Sequence, residues 1–159
     1  MTHLLVLLLA LLVGVVAGLR PLVAPAVIAW AAALHWINLD RTWVSWLSQP
    51  VTVAVLSVVA VAELVVDKLP ATPRRTAAVP FVARIILGAF AGAVIGTAWA
   101  YTWTALGAAV VGAVLGTVGG YRARTRLVAG HGHDLPIALL EDAVAVLGGV
   151  AIATMTAVL

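Results

Sequence analysis

The feature that most constrains this chain is the length of its uncharged apolar runs. Residues 4–18 read LLVLLLALLVGVVAG, and runs of the same character recur at 51–62, 85–98, 104–118 and 143–159. They are continuous rather than alternating, which argues for helices and against the strands of a membrane barrel. Only 9% of the 159 residues are charged, against about 25% in soluble domains. Such a chain cannot cover a water-facing surface. It is expected to be an all-α integral membrane protein, one domain over residues 1–159.

Six apolar spans are expected. The first covers residues 4–19 and stops at Arg20-Pro21. Pro21 and Pro25 open a second, to residue 36, since proline in a first helical turn sacrifices no bonded N–H. The others run over 51–66, 85–100, 104–119 and from Pro136 to the C-terminus. Several hold fewer than the roughly 20 apolar residues that cross a hydrocarbon core, so they must extend through polar flanks or thin the bilayer. The first run resembles a leader core, but Met1-Thr2-His3 supplies no base before it, and it is read as a retained helix.

Orientation follows from the bases. With the N-terminus outside, Arg20, Lys68, Arg74, Arg75, Arg84, Arg122, Arg124 and Arg126 fall inside and Arg41 falls outside, as the positive-inside rule asks. Trp36, Trp43 and Trp46 flank the second-to-third connection and Trp99, Tyr101 and Trp103 the fourth-to-fifth, both outside, where interfacial aromatics belong. Residues 38–50 are expected to lie along the outer surface. These bases answer membrane orientation rather than nucleic acid, and the expected location is the bacterial inner membrane with both termini outside. Without cysteine there is no disulfide framework or thiolate metal site.

Glycines at 14 and 18, at 88, 92 and 96, and at 112, 116 and 120 are each spaced by four. Such stripes let membrane helices approach closely. They predict a compact bundle and offer a surface for pairing with a second copy.

Against this background the acids stand out. Glu63 and Asp67 lie one turn apart at the inner end of the third span, and Glu141 and Asp142 lie about one and a half turns inside the sixth. A carboxylate below the headgroups costs about 2.5–3.5 kcal/mol on insertion scales, so it faces protein or a wet cavity. One reading pairs the four acids with Arg20, Arg84 or Arg122 as structural salt bridges. The other has them line a cavity open to the cytoplasm that holds a cation, a proton or a charged solute, where closely placed carboxylates suit proton coupling. The two are compatible. Arg20, at a break between Gly18 and Pro21, either clamps an anionic group or is an end-of-helix charge that snorkels.

Other motifs carry less. His131 and His133 in HGHD lack the further fixed ligands a metal needs, and His3 and His35 are isolated. No nucleophile elbow, phosphate loop or HExxH is present, so no enzyme is expected and no cofactor is assigned. GVVAGLR at 14–20 aligns with GTVGGYR at 116–122, suggesting that hairpins one-two and five-six are related and that Arg20 and Arg122 occupy related places beside one inner cavity.

GLR at 18–20, E-x-x-x-D-K-x-P at 63–70, Arg84 followed by Gly88 and Gly92, and P-x-x-x-x-E-D at 136–142 together resemble a family of small bacterial membrane proteins known only as a domain of unknown function. The resemblance spans nearly the whole chain and implies the fold and the choice of residues, but no substrate. From the residues themselves, the expected function is a transporter or channel-like protein moving a small ion or charged solute, homo-oligomeric and in contact with membrane lipids. Its candidate ligands are Glu63, Asp67, Glu141, Asp142, Arg20 and Arg122. The alternatives are an anionic-lipid-handling protein, gripping headgroups through an inner basic rim, or a non-catalytic membrane subunit.

Overall fold

The computed structural model describes residues 1–67, 78–131 and 134–158. Lys68, Pro70, Arg74, Arg75 and His133 lie outside the described residues, as does the side chain of His131. Among the described residues there are six α-helices: α1 His3–Leu19, α2 Val23–Ala33, α3 Pro50–Val66, α4 Ala78–Ala98, α5 Thr102–His131 and α6 Asp134–Val158, with one 3-10 turn at Ser45–Ser48. The all-helical bundle expected from the apolar runs is what forms. Among the described residues, three stretches are long and apolar enough to cross a membrane: Ala78–Ala98, Thr102–Ala129 and Leu135–Val158.

α1, α4 and α5 make the tight centre, and glycine sets their spacing. A methyl at Gly14 would strike the backbone of Ala109, and one at Gly18 would sit 2.5 Å from the Ala113 carbonyl. The relation is reciprocal, since methyls at Gly112 and Gly116 would strike the Leu11 and Val15 carbonyls. Numbers rise together on the two helices, so α1 and α5 run parallel with their backbones in contact. α4 runs against both: Gly96 meets Ala105, Gly92 meets Ala109, and Gly88 meets Ala113 and Ala17. Ala105, Ala109, Ala113 and Thr117 form the matching buried stripe on α5. The three glycine stripes are therefore used within the chain. On α5, Gly107 and Gly119 have nothing within 4 Å.

α2 departs from the expected second span. It ends at Ala33, about 16 Å after it begins, because His35 turns left-handed (φ 59°) and Trp36 N–H reaches back to the Ala31 carbonyl at 2.8 Å. Such an ending usually takes glycine. Almost all of α2 is buried against α1, α3, α4 and α6, so it need not span the bilayer alone. The chain after it does not simply lie on the surface. Ile37, Leu39, Val44 and Leu47 are buried in the core, while Trp43 and Trp46 face outward and pack on Phe90, each with ring centroids 6.2 Å away. Irregular backbone is acceptable at membrane depth when protein encloses it.

α4 begins at Ala78, before the expected Ile85, because Pro80 sits in its first turn where no bonded N–H is lost. α5 continues past Gly119 to His131. Gly119-Gly120 was the expected end, but no proline follows until Pro136, and Arg, Ala and Leu favour helix. α3 is the loosest element. It packs on α2 and the 3-10 turn, buries only Val53 and Ala60, and exposes Val51, Val58, Val61 and Val65. At the other end of the bundle from Arg20, the His3 ring packs at a tilt on Tyr101 and lies 3.1 Å from the Thr104 hydroxyl, closing α1 onto the start of α5.

If backbone contact between α1 and α5 sets the bundle, Gly112→Ala should lower stability by about 1–3 kcal/mol through overpacking. Gly107→Ala, facing open space, should be neutral or slightly stabilising. Thermal unfolding of both variants in detergent checks this, and equal effects would contradict the packing.

Candidate functional site

Arg20 is where α1 must stop. The residue before a proline is biased away from helix, and Arg20 is extended (φ −139°, ψ 97°) ahead of Pro21 while its N–H still donates to the Val16 carbonyl at 2.7 Å. The break turns its side chain inward, where the residue is wholly buried. Its guanidinium forks between two helices: Nη1 pairs with Asp67 Oδ2 at the end of α3, and Nη2 lies 2.5 Å from Asp142 Oδ1 on α6. Asp67 and Asp142 side chains are themselves mostly buried, at 17% and 11% exposed.

Glu63, one turn before Asp67, does a different job. α2 begins at Leu22-Val23 with no side-chain cap of its own, and Leu22 N–H donates to Glu63 Oε2 at 2.9 Å. A carboxylate from α3 thus satisfies an orphan donor at the positive end of the α2 dipole. Asp67 sits at the C-terminal end of α3, where a negative charge opposes the dipole. The Arg20 guanidinium offsets that cost.

Glu141 follows a third direction. It is adjacent to Asp142 but about 100° around the helix, and it faces α5, where Oε2 lies 3.9 Å from Arg124 Nη1. Oε1 lies 3.3 Å from where a Gly120 methyl would stand. Arg84 is also buried, at the basic end of α4 one turn from Gly88, with Nη1 3.4 Å from the Pro80 carbonyl.

Of the four acids that the sequence singles out, Asp67 of α3 and Asp142 of α6 are brought together through Arg20, while Glu63 caps α2 and Glu141 faces Arg124. Arg122 is not among them: it is exposed on the outer side of α5. The repeat aligned it with Arg20, but α1 breaks there whereas α5 runs on as helix, so the two side chains leave in different directions. Arg124 is the base that faces α6. The glycine stripe carried that signal, because 112, 116 and 120 extrapolate to 124, just as 96, 92 and 88 extrapolate to Arg84.

Three arginines, Arg20, Arg84 and Arg124, thus accompany Glu63, Asp67, Glu141 and Asp142 at one end of the bundle. Chemically, this is a charge-dense junction in which one guanidinium holds the ends of α3 and α6 against the α1–α2 break. Among the described residues, no three or more His, Cys, Asp or Glu side chains are grouped so as to hold a metal.

A family model described as "Domain of unknown function (DUF4126)" matches residues 7–159. No curated protein and no solved structure matches the chain.

Removing one partner of a buried ion pair typically costs about 3–5 kcal/mol. Arg20→Gln should therefore lower stability by that order, whereas Arg122→Gln should leave the thermal midpoint in detergent nearly unchanged. Similar midpoints for the two variants would show that the fork does not hold the helices.

Proposed function

From a chain that belongs to the DUF4126 family, we propose a small inner-membrane transporter or channel-like protein for a small ion or charged solute, with the Arg20 junction as its cytoplasmic-side gate. The observation that carries the reading is the sharing of one buried guanidinium between Asp67 and Asp142 at a helix break. Charges held below the headgroups by a broken helix are a functional hypothesis by default, and transporters place their sites at such breaks.

The loose attachment of α3 supports a gating role. Its inner end is tied through Asp67 to Arg20 and through Glu63 to the start of α2, while little else of it is buried. A cation or proton arriving at Asp67 or Asp142 competes with Arg20 for the carboxylate and weakens that tie. α3 is then free to move away from α2, opening a path along the short, enclosed α2 helix. The orientation is supported by the charges: Arg20, Arg84, Arg122, Arg124 and Arg126 lie at one end and Arg41 at the other, and the positive-inside rule favours a cytoplasmic position for the junction. Six helices, three of them short, enclose little space, so the reading includes association of copies in the membrane.

The test uses the full chain in liposomes carrying a pH-sensitive dye, with a potassium diffusion potential imposed to drive protons or small cations. Flux should exceed that of empty liposomes at least tenfold, and Asp67→Asn and Asp142→Asn, which release the Arg20 tie without a competing ion, should each raise it several-fold in protein that still elutes as a folded species. Wild-type flux in both variants would reject the acids as the gate.

A further inference from the structure

At the end of α2 away from Arg20, the chain turns back and leaves a small polar hollow. α2 ends at Ala33, the turn after it carries His35, Asn38 and Asp40, and the 3-10 turn brings Ser48 to the same cavity. The cavity holds about 120 Å³, room for one ion and the few waters that complete its shell. Ala32, Ile37 and Leu39, all buried, form its floor, and His35, Asn38, Asp40 and Ser48 form its rim. Among the described residues, no lysine or arginine lines it.

We propose that this hollow binds a divalent transition-metal ion, with the His35 imidazole and the Asp40 carboxylate as its two anchors. The electrostatics select a cation. Asp40 supplies a full negative charge, and the cavity lies at the C-terminal end of α2, where the helix dipole is negative. An anion would meet both with the wrong sign. Local hydrogen bonds leave acceptors on the rim. The Ser48 hydroxyl donates to the Ser45 carbonyl at 2.8 Å, so its oxygen presents lone pairs to the cavity. Asn38 Oδ1 accepts the Asp40 N–H at 2.9 Å, which ties the two residues into one tight turn.

The ligand types select the class of metal. An imidazole suits zinc, copper or nickel, whereas magnesium and calcium take oxygen. His35 and Arg41, which bracket the turn, are both left-handed (φ 59° and 60°) without being glycine, and strain of this kind gathers where a segment is shaped for a ligand. One imidazole and one carboxylate fall short of the four protein ligands of a closed structural site. Rim oxygens and water fill the other positions, so the ion exchanges readily. The site lies at the opposite end of α2 from the Arg20 junction and does not rest on the transport reading, since binding is read without any flux.

The full chain, purified in detergent without a histidine tag, is titrated calorimetrically with Zn²⁺ and, separately, with Mg²⁺. One Zn²⁺ should bind per chain, at least tenfold more tightly than Mg²⁺. His35→Asn removes the imidazole but keeps a residue that tolerates left-handed backbone, and Asp40→Asn removes the charge. Each should weaken Zn²⁺ binding about tenfold while the thermal midpoint without metal stays nearly unchanged. His131→Ala/His133→Ala should bind Zn²⁺ as the wild type does. No Zn²⁺ binding by the wild type, equal affinity for the two ions, undiminished binding in both folded variants, or loss confined to the His131/His133 variant would overturn the proposal.

Discussion

Arg20 cannot reach water, and its charge has to be met inside the protein. That requirement shapes the basic end of the molecule. Pro21 breaks α1 so that the side chain turns inward, Asp67 closes α3 on it, and Asp142 brings α6 to it. The same break starts α2 without a cap, which Glu63 supplies from α3. One buried cation thus joins four helices far apart in sequence. Burying charge is a poor way to gain stability, but it specifies which helix ends meet.

Cohesion of a second kind holds the rest. α1, α4 and α5 touch backbone to backbone through glycine and alanine, an arrangement suited to lipid, where apolar side chains gain little by leaving one apolar environment for another. α3 takes part in neither centre along most of its length. The contrast between a close-packed three-helix core and a lightly held helix tied at its inner end through Asp67 and Glu63 is what makes movement at the Arg20 end physically reasonable, because local openings draw on elements with few buried contacts.

Much of this was legible in the sequence, for reasons that can be named. Continuous apolar runs fixed the helical class, four-residue glycine spacing marked the packing faces, and the rarity of charge made Glu63, Asp67, Glu141, Asp142 and Arg20 conspicuous. What escaped were matters of local backbone and direction. The left-handed turn at His35 that shortens α2 uses a residue without glycine's signature. The glycine pair 119–120 reads like a helix end but lies inside a longer helix, where Gly120 packs closely against Leu19. The short repeat makes Arg122 the counterpart of Arg20, whereas the four-residue glycine stripe, carried on to 124, marks Arg124 as the base that faces α6. Glu63 as a cap for a helix 41 residues earlier in the chain has no local sequence signature at all.

The central claim, that Arg20 and Asp142 hold one another, is tested most directly by a double-mutant cycle on stability in detergent with Arg20→Met, Asp142→Leu and the double variant. Each single change strands a buried charge, so the double variant should be less destabilised than the sum of the singles by about 1.5 kcal/mol or more. Strictly additive losses would contradict the account.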